Sequence, residues 1–233
     1  MRRMKSCLLP GAAGLILATF LCTPLFAYSG GSGTSGDPYQ IGSVADWSQL
    51  MNTASDWGKC FVLINDINLA GASLTSVGRL DSGCTFTGIF DGNGRSLINA
   101  TINDSASSAG YYGVFAWVGG GGQIRNLGLK NVVVSITGSS AIVGALCGEN
   151  DGTLTNCYAT GSVAGKWDVG GLCGDNHGTI TGCYSTASAT GNNVGGLCGL
   201  NDGTISECYA TGNVSGTGIL SCAGGLCGET WSS

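Results

Sequence analysis

The chain has 233 residues, of which 43 are glycine and three proline, with 10% charged residues, 43% apolar residues and a formal net charge of −5. Glycine far above its average share of about 7% without matching proline excludes collagen. The low charge and high apolar content exclude ordinary disorder, and the Gly, Ser, Thr and Asn density excludes long helices. What remains is a body of short strands and many turns.

Residues 1–27 differ from everything after them. Arg2, Arg3 and Lys5 precede a mostly apolar stretch from Leu8 to Phe26 that closes on Ala27, the pattern of a secretory signal peptide. Pro10, Gly11 and Gly14 weaken the rival reading of a membrane anchor, and Leu21 before Cys22 is too large for a lipoprotein box. Removal of this segment leaves six basic residues against 14 acids, a net −8. A strongly acidic exported chain argues against nucleic acid as a partner and against a polybasic lipid contact, so no membrane insertion is expected after cleavage. The expected location is secreted or cell surface.

Residues 28–36, YSGGSGTSG, read as a flexible lead-in. Within 37–58, Ser43 is placed to N-cap a helix with Asp46 in its first turn and Trp47, Leu50 and Met51 on one face, a cap for the first coil of a repeat body. Residues 59–142 read as irregular coils. Cys60–Ile64 and Ile67–Leu69 are two strands joined by a bend, Asp91-Gly-Asn-Gly is a turn, and Ser96–Ile102 is a further strand. Gly113–Val118, the glycines 119–122 and Ile124–Leu129 form a degenerate version of the later repeat.

Residues 143–233 carry the repeat itself. VGALCGENDGTLTNCYATGSVAG, VGGLCGDNHGTITGCYSTASATG and VGGLCGLNDGTISECYATGNVSG open at Val143, Val169 and Val194, and GGLCGETWSS follows from Gly224. The Leu-Cys-Gly cores at Cys147, Cys173, Cys198 and Cys227 step by 26, 25 and 29 residues. Units this short must stack on neighbours to bury anything, which is the logic of a solenoid. Helical repeats fail on propensity and propeller blades need longer units, leaving an all-β solenoid with two or three short strands per turn. The fourth unit stops before its GTI and CYATG strands, so the chain reads as truncated, or as covered at that edge by Trp231.

At Gly171-Leu172-Cys173-Gly174 and its counterparts the phrase resembles the GLUG-motif repeats of bacterial exported and surface proteins. The resemblance runs closely from Val143 to Gly228 and loosely over DPYQIGSVADWSQL and FTGIFDGNGRSLINATIN. Two departures are visible: Cys stands at the motif's third letter in every copy, and Ala145 replaces the leading Gly of the first. The resemblance implies a right-handed parallel β-helix with a short N-terminal capping helix, adhesin-like and bacterial. It transfers no catalytic residue.

Candidate chemistry is sparse. Ten cysteines follow residue 27 in a compartment that permits disulfides; Cys60 and Cys84, about one coil apart, are the first pair expected to bridge, while the repeat cysteines are either stacked thiols or bridges. Their spacing does not suit zinc. Asp151, Asp175, Asp202 and Asp91 read as turn formers instead of calcium ligands, because Glu149 and Asp175 align with Leu200, and His177 aligns with Asp151 and Asp202 as a turn position. No HExxH, GxSxG or Walker motif is present, and no catalytic residue, metal or cofactor is expected. Tyr158, Tyr184 and Tyr209 follow the second Cys of each unit and should form an outward ladder, either ligand-facing or packed under a neighbouring loop. The expected function is a non-catalytic adhesion, binding or spacer module that meets an extracellular glycan or protein surface. The rival is a carbohydrate-active β-helix enzyme, either lyase or hydrolase.

Overall fold

The computed structural model describes residues 28–79, 83–105, 110–138, 140–219 and 221–231; the expected signal peptide lies outside them. The chain winds as a parallel β-solenoid of about six turns. Its strands stack into four sheets of seven, nine, five and five strands, and every pairing between named strands is parallel. Equivalent repeat positions face one another: Leu154 pairs Ile180 and Ile180 pairs Ile205, so one apolar letter of the repeat becomes one buried column.

A regular coil holds more strands than expected. Asp168–Gly170, Cys173–Asn176, Thr179–Thr181, Tyr184–Ser185 and Ser188–Gly191 are five, each interrupted where the chain turns a corner. Ser96–Ile102 likewise divides into Ser96–Ile98 and Thr101–Asp104, with Asn99 between them at φ 58°. The alternation there was legible, but the left-handed bend inside it was not.

One corner repeats its backbone demand. Asn126, Asn156, Gly182 and Glu207 follow matching strands and take φ values of 52°, 52°, 63° and 56°. Asn and Gly tolerate this region, whereas Glu pays for the clash of its Cβ. Glu207→Asn is therefore expected to raise stability by about 0.5–1 kcal/mol, read as a higher urea midpoint at unchanged slope; a lower midpoint would refute it.

The helix Val44–Asn52 starts as expected: Ser43 Oγ accepts from Asp46 N at 3.2 Å, and Trp47, Leu50 and Met51 are buried. Trp47 meets Phe90 and Phe115 edge-on at centroid distances of 5.7 and 6.1 Å, which ties the helix to the aromatic core of the irregular coils. The lead-in is a correction. Tyr28 is buried against Tyr39 and Phe61, and Ser29 N and Gly30 O bond to Gln40 at 3.1 and 2.7 Å, so its Gly and Ser content builds a tight return, not a flexible tether.

Candidate functional site

Three kinds of side-chain column run along the repeat coils. The first is internal. Cys147, Cys173 and Cys198 are fully buried and in register, with Cys147 Sγ donating to Cys173 Sγ at 3.5 Å. In-register rungs lie about 4.8 Å apart, and a disulfide wants its Cβ atoms closer, at about 3.8 Å, so stacked thiols suit this column. Burial pushes the Cys173 and Cys198 thiols well above their ordinary pKa, and Cys227 is pushed up to about 12 by burial and by Cys198. Cys173 and Cys198 are inert core residues, while Cys227 is half-buried at the last coil.

The expected Cys60–Cys84 bridge is not formed, and both thiols are free. Register sets Cys60 opposite Ile89, a coil of 29 residues, so Cys84 falls five residues short of the partner rung. A coil length borrowed from the regular repeats misplaced it.

Beside the cysteines runs a buried amide ladder that the sequence reading did not single out. Asn150 Nδ2 donates to Asn176 Oδ1 and Asn176 Nδ2 to Asn201 Oδ1, each at 2.7 Å. The identical Asn before each turn was the available signal.

The second column is the tyrosine ladder. Tyr158, Tyr184 and Tyr209 are in register, with ring centroids 5.0 and 4.9 Å apart and interplanar angles of 4° and 1°. At that spacing each ring covers its neighbour's face. What the ladder presents is a ridge of ring edges and phenol groups, plus the free face of Tyr209, which is 53% exposed. The ridge begins over Gly128, where a Cβ would sit 2.5 Å from the Tyr158 ring; the missing side chain lets the Tyr158 hydroxyl reach Ser96 Oγ at 3.3 Å. Tyr184 is held above its ordinary pKa by desolvation and by the neighbouring phenols, against the pull of Lys130.

The third column is acidic, and at Asp175 it corrects the turn-former reading, whereas Asp151 and Asp202 do stand at bends. Glu149 and Asp175 lie inside the strands Cys147–Asn150 and Cys173–Asn176, directly paired, and each is only 8% exposed. His177 Nε2 stands 3.4 Å from Asp175 Oδ2 and its Nδ1 3.5 Å from Asp202 Oδ2. The column starts at Trp117, which pairs Glu149, donates from Nε1 to Asp151 Oδ2 at 2.7 Å and packs on Tyr111 at 5.4 Å. On the facing strands Asn193 Nδ2 bridges Asp168 Oδ1 at 2.9 Å and Glu229 Oε2 at 3.0 Å. Desolvation raises the pKa of Glu149 against the hydrogen bond from Tyr111, raises Asp168 against that from Asn193, and lifts Asp175 to about 6 despite His177. Burial alone would depress His177; the carboxylates of Asp175, Glu149 and Asp151 outweigh it and raise its pKa. Asp175 Oδ1 is buried with no hydrogen-bond partner. Among the described residues no group of three His, Cys, Asp or Glu side chains is arranged to hold a metal, and no helix is long and apolar enough to cross a membrane.

The GLUG motif matches at residues 139–164 and 190–215. Halomucin of Haloquadratum walsbyi is 35% identical over 145 residues, which is 58% of this chain and 2% of that protein. A protein of Evansella cellulosilytica described as a candidate Gly-rich membrane protein is 34% identical over 135 residues, 55% of this chain and 15% of its own length. The chain thus spans a small part of the curated relatives it matches. Among solved structures, a Bacteroides ovatus protein described as a candidate immunoglobulin A1 protease superposes with a TM-score of 0.63 at 20% identity, covering 86% of this chain and 74% of that one. At that identity the likeness concerns the fold.

Proposed function

We propose that this chain, a β-solenoid carrying GLUG motifs, is a non-catalytic binding module of an exported surface protein, and that it holds an extracellular glycan or protein along the Tyr158–Tyr184–Tyr209 ladder. The observation that carries the reading is the register of the three rings, which sets phenol groups and ring edges at the rung spacing along one line. Tyrosine combines a large apolar edge with a hydroxyl, the mixed surface that sugars and protein backbones both accept. The names of the relatives, halomucin and a candidate membrane protein, agree with a surface location. Each is far longer than this chain, so a module within a larger protein fits.

The test is a glycan and extracellular-protein panel probed with the wild type and with a Tyr158→Ser, Tyr184→Ser, Tyr209→Ser variant. Loss of about 2–3 kcal/mol of binding, or more than roughly 30-fold in affinity, is expected from removing three contacting aromatics. Undiminished binding by a folded variant would end the ladder hypothesis.

A second reading, a carbohydrate-active enzyme, draws on Glu149 and Asp175, two carboxyls on adjacent rungs with raised pKa values. Acid and base or nucleophile pairs in glycosidases are carboxyls about 5–10 Å apart. Their slight exposure leaves a sugar ring no approach in this structure. Release of reducing ends from the same panel, abolished by Glu149→Gln, would establish the enzyme instead.

A further inference from the structure

The acidic column joins three successive coils, and its members come from every element around it. Glu149 lies on the strand one rung before Asp175, Asp151 and Asp202 on the turns flanking that of His177, and Asp168 on the strand Asp168–Gly170 of the facing sheet. Tyr111 donates to Glu149 from an earlier coil, and Glu229 closes the column on a later one through Asn193. The basic group these carboxylates share is His177, the single histidine of the chain. We propose that this seam is a proton-operated clasp: His177, seated between Asp175 and Asp202, binds adjacent coils together in mild acid and lets them loosen when it gives up its proton.

The reasoning is electrostatic. With His177 charged, its two ring nitrogens meet Asp202 Oδ2 and Asp175 Oδ2, the latter on a carboxyl that titrates at about 6, and the imidazolium spans two coils. With His177 neutral, the buried Glu149 and Asp175 are left as like charges on adjacent rungs where water screens them poorly, with Asp151 and the exposed Asp202 beside them. Asp175 suffers most, since its buried Oδ1 has no donor at all to offset an ionised state.

The linkage has one sign throughout. His177, Asp175, Glu149 and Asp168 all have folded pKa values above their ordinary ones, so each contributes stability below its unfolded value that is lost as pH rises through its folded value. For the carboxyls that window opens in the ordinary carboxylate range and passes about 6 at Asp175; for His177 it lies above the ordinary imidazole value. Asp46 and Asp91 act oppositely. Burial raises them, but hydrogen bonds to Asp46 from Ser29, Gly42 and Ser43, and to Asp91 from Asn126, Asn93 and Arg125, hold both below the ordinary value. Their stabilisation is lost only at more acid pH, outside the clasp's window.

The test compares wild type, His177→Gln and Asp175→Asn at about pH 5.5 and about pH 8.5. Wild-type Tm should be higher in acid by roughly 3–6 °C, and amide exchange, corrected for its intrinsic pH dependence, should quicken in alkali at residues 150–152, 176–178 and 201–203. His177→Gln should lose the part of the acid advantage that lies above the ordinary imidazole value, keep the part that Asp175 contributes around its value of about 6, and match wild type in alkali, while Asp175→Asn should gain in alkali. A wild-type Tm that is flat or higher in alkali overturns the clasp, as does an acid advantage that is undiminished in His177→Gln. Should the variants fail to fold, the lone imidazole resonance of the wild type still decides: a midpoint above the ordinary value of about 6.5 is expected, and one at or below it refutes the proposal. None of these readouts depends on what the tyrosine ladder binds.

Discussion

Gly170→Ala should cost roughly 3 kcal/mol or more, whereas Gly225→Ala, one letter later in the same repeat phrase, should be nearly silent. A Cβ on Gly170 would stand 1.7 Å from the carbonyl oxygen of Cys173 and 2.7 Å from that of Leu197, both of them backbone that cannot swing aside. The same approach recurs at Gly144, Gly195 and Gly224, where a Cβ would lie 2.1, 1.9 and 1.7 Å from the carbonyl oxygen of the Cys three residues on. These glycines pair in register, Gly144 to Gly170 to Gly195 to Gly224, so each unit repeats one tight reversal around Leu-Cys-Gly. At Gly225 nothing lies within 4 Å of the added carbon. Urea unfolding of the two variants side by side reads the difference. Equal midpoints would mean that the reversal can relax at little cost, and the steric account would fail.

Asn176→Ala should lower stability by about 2–4 kcal/mol, with a Tm lower by roughly 5–10 °C. Asn176 is the middle rung of the amide ladder: it accepts from Asn150 and donates to Asn201, and its neighbours are buried or nearly so. Truncation leaves a donor on one side and an acceptor on the other without partners, and each orphan costs about 1–3 kcal/mol where water cannot reach it. Asn213→Ala, at an exposed site, is the control and should change little. Because coils interact only with their neighbours, the damage should centre on the coil of Asn176 and be visible as faster amide exchange there before global unfolding. A loss no larger than that of Asn213→Ala would show that the ladder is replaceable by water.

Much of the site was legible, but unevenly. The tyrosine column follows from strand alternation: Cys157, Cys183 and Cys208 turn inward, so the residue after each turns outward. Alternation says nothing of ring orientation, and the near-parallel stacking that hides the faces needed the rung spacing and the open place above Gly128. The acidic seam was missed for a different reason. Reading letter against letter, Glu149 and Asp175 became Leu200 and looked like variable turn residues; stacking instead brings them beside Tyr111 and Trp117 of the irregular coils and Asp168 of the facing sheet.

By itself the sequence determined the repeat, and with it the parallel stack, the inward Leu, Ile and Cys columns and the capping helix. Each of these follows from local propensity and from a period too short to bury its own apolar residues. The tertiary structure alone decided coil lengths in the irregular region, where Cys60 faces Ile89 and not Cys84. It alone packed the lead-in against the strand of Gln40, put Glu149 and Asp175 in strands and set His177 between carboxyls on different coils. The coil lengths and the acidic seam depend on which coil lies against which, a relation between residues 25 or more apart that no local pattern carries.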